Sequence, residues 1–456
     1  MANGNEPKDP VFEFIDESLW HGPLDRAEAI RATQRDLAGR SIYAAAVLGD
    51  DAAVGRFLEQ NPALATEKGG PRGWDALTYL CFSKYLRRDA APSEGFLRAA
   101  KALLDAGASA STGFFDESHK PSPEWESALY GAAGVAHHAE LTLLLLEHGA
   151  DPNDGEVPYH TPETYDNRAL QVLLDSGKLN DDSLTMLLLR KSDWHDYGGL
   201  ELLLDFGVDP NRRGRWGHTV IHHAILSDNS AAIVELLLDR GADPILPPVG
   251  DAALSRPTRG QTAPAMAAWA GRGDLLDLFE KRGITLELRG VERLLAACAR
   301  DDATAVQRVA TEAPALVREV LDHGAELLQA FARVGNSAGV RHLLDLGVPV
   351  AATVAEGSGY FDIAKNSTAL HVAARRAQHG TLKLLLERGA PVDSLDGALR
   401  TPLQLAVRAC VDSYWTDRRS PESVAALLRA GASVRGVRYP SGYDEVDALL
   451  AQHEAR

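Results

Sequence analysis

The stretch STALHVAARRAQHGTLKLLLERGAPVD (Ser367–Asp393) recurs in looser form along much of the chain. That recurrence limits the possible folds more than any other feature. Within this copy Thr368 is placed to cap a helix, because its hydroxyl can accept an orphan backbone N–H. Leu370, Ala373 and Ala374 then follow at three- and four-residue spacing, which is one face of a helix. Leu382, Leu384, Leu385 and Leu386 mark a second helix. Gly389 stands where a helix end favours a left-handed residue, and Pro391 cannot continue the helix. Two short helices cannot bury their apolar faces alone, whereas stacked copies can.

The copies keep a period. ELLLDFGVDPN begins at Glu201 and ELLLDRGADP at Glu235, and LLLERGAPV at Leu384 is echoed by ALLRAGASV at Ala426. First helices recur as SALYGAA from Ser127, TVIHHAI from Thr219, TALHVAA from Thr368 and TPLQLAV from Thr401. These residues resemble the ankyrin repeat, whose signature is a T-P-L-H-x-A opening and a period of about 33 residues. The resemblance implies an all-α ankyrin-repeat solenoid of helix–turn–helix repeats joined by hairpin fingers. About eleven repeats are counted, several of them degenerate. They begin near Ser41, Trp74, Ser127, Thr161, Leu184, Thr219, Thr262, Val291, Glu326, Thr368 and Thr401. The array covers residues 40–435, with an N-terminal cap over 1–39 and a C-terminal cap helix over 436–456. The copy at Thr161 is short and must distort locally. The segment from Asp151 to Asn211 is also similar to bacterial ankyrin proteins without an assigned activity, and the excess of Arg over Lys suits a GC-rich bacterial genome.

Composition excludes several functions. Lys and Arg total 47 against 64 Asp and Glu, a net charge of −17, which disfavours nucleic acid and anionic membranes as partners. Cys81, Cys298 and Cys410 lie too far apart for a disulfide framework or a zinc spacing, so a reducing compartment is expected. No run of 18 apolar residues occurs, and the N-terminus lacks a basic segment followed by an apolar one. A cytoplasmic location follows as the expectation. Walker A, G-x-G-x-x-G, G-x-S-x-G, H-E-x-x-H and C-x-x-C spacings are absent, so neither cofactor nor metal is expected.

Departures from the period point to function. In the ankyrin pattern the glycine closing one repeat lies about 12 residues before the next opening position. The intervals Gly107–Ser127, Gly241–Thr262 and Gly347–Thr368 are eight or nine residues longer. Three long fingers result, and Phe114, Phe115, Tyr360 and Phe361 on them are unusual for solvated tips. Two insertions within repeats, around Asp89 and Tyr414, are candidates for self-association. Helical spacing and finger positions select a binding groove lined by Trp74, Tyr79, Phe82, Tyr159, Trp194, Arg215, Trp216, His218, His223, Trp269, Arg333, Arg375, Arg376 and Arg408. Tryptophan, tyrosine and arginine dominate binding energy at interfaces, and the arginines suit an acidic partner. The resemblance thus implies a non-catalytic scaffold for a protein partner. The alternative is a small-molecule or metal pocket, or an enzyme, built from His160, Asp193, His195 and His223. His222 and His371, at the histidine of the opening motif, are expected to bond backbone and not ligand.

Overall fold

The computed structural model describes residues 9–87, 93–250, 261–413 and 416–454. The insertion sites at Asp89 and Tyr414, most of the second long finger and the first eight residues of the N-terminal segment lie outside the described residues. The chain divides into two compact units. One holds the residues up to Asn229 together with Leu236–Ala242, and the other Ser230–Glu235 with the residues from Asp243 onward.

Helix starts follow the capping residues seen in the sequence. Ser41 accepts from Ala44 N at 3.1 Å, Ser127 from Tyr130 N at 2.9 Å and Asn180 from Ser183 N at 2.8 Å, each satisfying a donor the first helical turn leaves unpaired. At Thr401 the box is reciprocal, Gln404 reaching back to the Thr401 N–H at 2.8 Å. Second helices are capped by Asp50, Asp196, Asp302 and Asn336. Gly207 and Gly389 take left-handed φ values of 101° and 80° directly after a second helix, conformations that cost other residues energy.

First helices are alanine-rich and turn their alanines inside: Ala44, Ala45 and Ala46, Ala128, Ala132 and Ala133, and Ala373 and Ala374 are all fully buried. Their small size lets helices of neighbouring repeats approach closely. The second helices add Leu103, Leu141, Leu145, Leu203, Leu237, Leu276, Leu343, Leu385 and Leu427 to the core. Each buried leucine contributes roughly 1.5–3 kcal/mol, which stacking alone makes available. His371 ties repeats together, its Nδ1 facing Thr368 Oγ1 at 2.9 Å and its Nε2 the carbonyls of Ser394 and Arg400 at 3.0 and 3.2 Å.

Two expected openings are displaced. The fourth repeat opens with a helix Glu156–His160, so Thr161 closes that helix and does not cap it. Asp154 does the capping, accepting from Val157 N at 2.9 Å, and this earlier start accounts for the shortness of the copy. The fifth opens at Asp181, three residues before Leu184, and its helix runs thirteen residues to Asp193. The P-A-L segment at Pro62 forms one 3₁₀ turn (Pro62–Ala65), whereas that at Pro314 extends into a helix, Pro314–Asp322.

The first long finger is an antiparallel hairpin of β1 (Gly113–Asp116) and β2 (Glu124–Ser127), pairing Phe114 with Glu126 and Asp116 with Glu124. Alternation along strands puts those four on one face. Phe115 and Trp125 occupy the other, edge to face at 4.9 Å. The third finger turns tightly at Ser358–Ile363 and folds back on the helices beneath it.

Candidate functional site

Three clusters of the expected residues emerge, and each has a different character. The first is closed. Tyr79 and Phe82 are fully buried and Trp74 is 6% exposed, so these three do not line an open surface. The chain itself covers them. Phe114 of the hairpin stacks on Trp74 at 4.0 Å, and Trp20 meets Phe82 and Tyr130 edge to face at 5.5 and 5.7 Å. Backbone bonds Trp20 N to Phe82 O at 3.1 Å and Lys84 N to Ser18 O at 2.9 Å lash the N-terminal segment down. Tyr79 Oη donates to Gly69 O at 3.0 Å and accepts from Arg72 N at 2.8 Å. Aromatic bulk here serves packing, because apolar surface of this size gains more from burial than from water. The outer pair differs: Phe115 remains 61% exposed.

The second cluster is a polar network in the same unit. His223 Nε2 faces Asp193 Oδ1 at 2.6 Å, and His223 Nδ1 faces His218 Nε2 at 2.7 Å. Between the two rings one facing nitrogen donates and the other accepts. Ser227 Oγ donates to the same Asp193 oxygen at 2.8 Å, and Arg190 pairs with the other one. Arg190 also reaches Glu163 at 2.7 Å. Glu163 and Glu156 each stand 3.1 Å from a ring nitrogen of His160. The network therefore alternates acid and base from Glu156 to His223, with His218 bonded beyond it.

Burial works against charge on Asp193, but the bonds from His223, Arg190 and Ser227 hold its carboxyl below the usual range. Burial likewise opposes a charged His160, and its two glutamate partners outweigh it, lifting the ring to about 9. His218 moves the other way, pushed down to about 3 by burial and by the neighbouring His223 and His222. Glu126 is pushed up to about 8 by burial, then by Glu156 and Asp116.

Of the four residues assigned to a pocket, His160, Asp193 and His223 thus join one network. His195 instead occupies the turn after the helix, at φ 51°, and the bonds linking Asp193, His223 and His218 do not pass through it. The hydroxyl in this network donates to a carboxylate and not to a ring nitrogen, so it is not activated as a nucleophile. All three cysteines are buried and their thiols are pushed up by burial, which makes them inert.

Over this network lies a ladder of rings and guanidiniums. Trp216 stacks on His223 and His218 at 5.6 and 6.1 Å. Arg215 lies over Trp216 at 4.9 Å and over Tyr159 at 5.1 Å, and Arg190 over Tyr159 at 4.1 Å. Arg215 is exposed and forms no ion pair among the described residues. Trp194 is half-buried beside Tyr165, whose hydroxyl donates to Trp194 O at 3.0 Å. His218 and His223, though expected at the surface, are 7% and 9% exposed, since Trp216 covers them.

The third cluster belongs to the second unit and overturns the open arginine face. Asp362 of the third finger accepts from Arg375 Nε and Arg400 Nη1, both at 2.8 Å, and pairs with Arg408 at 3.1 Å. Phe361 is 8% exposed, with Arg333 and Arg376 at 4.2 and 4.9 Å from its ring centroid. The acid that meets these arginines is the chain's own. Tyr360 stays outside at 52% exposure, and Trp269 packs edge to face on His323 at 5.5 Å. Arg190, Glu126 and Asp362 were not singled out from the sequence. Arg190 lies three residues before Asp193 on one helix, a spacing that pairs opposite charges; Asp362 follows the aromatic pair directly.

Two stretches match family models: residues 203–247 match "Ankyrin repeats (many copies)" and residues 365–397 "Ankyrin repeat". Comparison with curated proteins finds no match. Among solved structures, the human ASB11 ankyrin repeat domain is similar at 19% identity, over 58% of this chain and 96% of that one, with a TM-score of 0.26. No helix among the described residues is long and apolar enough to cross a membrane. Ankyrin repeats serve in general as scaffolds for protein–protein interaction. The hairpin units, their capped openings and the two matched stretches make the fold of this chain an all-α ankyrin-repeat array.

Proposed function

We propose that this chain is a non-catalytic binding scaffold, and that the ladder Tyr159–Arg215–Trp216 in its first unit receives an acidic segment of a protein partner. One observation carries the reading. Arg215 is exposed, held between two rings, and lacks an ion pair among the described residues. A guanidinium so held is pre-organised for a carboxylate. The residues beneath it favour binding over chemistry, because the hydroxyl and the His223 ring are already committed to Asp193 and the His218 ring to His223.

The closed clusters narrow this reading. The arginines at 375, 376 and 408 enter no part of it, since Asp362 and Phe361 engage that patch. The test is affinity capture with the full chain, followed by quantitative binding of the captured protein to Arg215→Ala and Arg215→Lys. The Ala variant is expected to lose about 2 kcal/mol or more of binding free energy, and Lys to recover only part of it. Thermal stability should stay unchanged because Arg215 is exposed. Equal affinity in wild type and Arg215→Ala would remove the ladder from the interface.

A further inference from the structure

The face of the first finger that turns toward the helices carries an arrangement the scaffold reading does not use. Its register pairs Asp116 with Glu124 directly across the two strands, and Glu126 lies on the same face. Like charges set opposite one another weaken a hairpin. Three carboxylates on one face of a four-residue ladder therefore call for a compensating cation. His119, in the connecting turn, folds back over them.

The geometry is that of a ligand set. His119 Nδ1 is 2.9 Å from Glu124 Oε2, which leaves Nε2 as the ring nitrogen nearer the other two carboxyl groups. Metal-binding histidines are usually oriented by a carboxylate in this way. Nε2 stands 3.7 Å from Asp116 Oδ2 and 3.9 Å from Glu126 Oε1. Those separations are too long for hydrogen bonds. Donor atoms bound to one zinc-type ion at roughly 2.0–2.2 Å and tetrahedral angles lie about 3.4 Å apart, so the two separations from Nε2 need only small side-chain shifts to reach that spacing. Asp116 Oδ1 is engaged separately by Ser118 N at 2.8 Å, which leaves Oδ2 to the site. All three candidate donor atoms fall within 4.8 Å of one another.

A second observation points independently to a ligand. Glu126 is 1% exposed, and its Oε2 has no hydrogen-bond partner among the described residues. A buried carboxyl oxygen without a partner is costly; the other oxygen of the same group, Oε1, is the one 3.9 Å from His119 Nε2.

We infer that Asp116, His119 and Glu126 form a binding site for a first-row divalent cation of the zinc type, with Glu124 orienting the histidine. One nitrogen and two carboxylate donors suit zinc, with water completing the coordination. The ion pins the tip of the finger, at Asp116 and His119, to its base at Glu126. It thereby fixes the hairpin whose outer face presents Phe115 and Trp125.

The test is titration of the metal-free full chain with zinc chloride, followed calorimetrically, with cobalt chloride as an optical probe. The expected result is one saturable site per chain and a rise in melting temperature on zinc addition. Glu126→Gln is the decisive variant, because an amide of the same shape keeps the packing and removes an anionic donor. It should retain the melting temperature of the metal-free protein and lose the site. His119→Ala should lose it as well, and Glu124→Gln should weaken it about 10- to 100-fold. Absence of saturable binding would overturn the inference, as would binding that survives both Glu126→Gln and His119→Ala, since the ion would then sit on other histidines.

Discussion

Consider Asp362→Asn, which keeps the side-chain shape but removes the charge that three guanidiniums share. Asp362 has φ 53°, a conformation asparagine tolerates, so the substitution reports on electrostatics without added backbone strain. Arg375 and Arg400 have side chains only 13% and 20% exposed, and both would lose an anionic acceptor while still partly withdrawn from water. A charge-assisted bond contributes about 1.5–3 kcal/mol. The three do not add, because Arg400 keeps Asp396 at 2.9 Å and Arg408 keeps Asp412 at 2.8 Å. The expected loss is about 2–3 kcal/mol, or a fall of roughly 4–10 °C in the melting transition of a unit of this size. Asp362→Ala should lose more, since alanine resists positive φ. Urea unfolding of the full chain measures the change, and tryptic cleavage after Lys365 should accelerate as the finger lifts. The bonds outweigh burial and hold the Asp362 carboxyl below its usual value. Its contribution is therefore present above the unfolded value and lost as pH falls through the folded one. A stability change under about 0.5 kcal/mol, with unaltered cleavage, would show that Asp362 does not hold the finger down.

His160, lifted to about 9 between Glu156 and Glu163, stabilises the fold fully below its unfolded value near 6.5 and loses that contribution as pH rises through about 9. Between those limits the wild type should lose about 3 kcal/mol that His160→Gln does not lose. A residual slope from Glu126 should remain in both, and identical pH profiles would refute the assignment. Lys191 is completely buried against Asp196 at 2.8 Å and Thr164 O at 2.6 Å. Lys191→Ala removes the cation paired with Asp196, leaving its buried carboxylate only the neutral donors Asn167 Nδ2 and Gly199 N, and should cost about 3 kcal/mol by denaturant unfolding; a cost under about 1 kcal/mol would mean that water reaches it. Tyr79→Phe deletes a hydroxyl bonded to Gly69 O and Arg72 N and should cost about 1–2 kcal/mol in stability without changing partner affinity. Altered affinity would return Tyr79 to the binding surface.

The repeat was legible from local rules. Thr401 and Ser127 cap helices, Gly207 and Gly389 end them, and alanine and leucine stripes mark the faces that stack. Each is an interaction over a few residues, which a linear sequence displays directly. The fourth opening was misplaced because its cap, Asp154, precedes a glycine and an atypical helix. Side-chain types in the groove were legible too, but their exposure was not. Tyr79 and Phe82 have the spacing of outward positions, yet Tyr43 packs on Tyr79, and Trp20 and Phe114, distant in sequence, cover Phe82. The arginines at 375 and 408 read as an open cationic face until the third finger brings Asp362 onto them.

Local chemistry therefore determined that this chain folds as stacked helical hairpins, since capping, helix termination and amphipathic spacing depend on near neighbours. Which side chains remain free to meet another molecule was decided only by tertiary structure. Long loops close over some of them and not others, and loop closure depends on contacts between residues far apart in the chain.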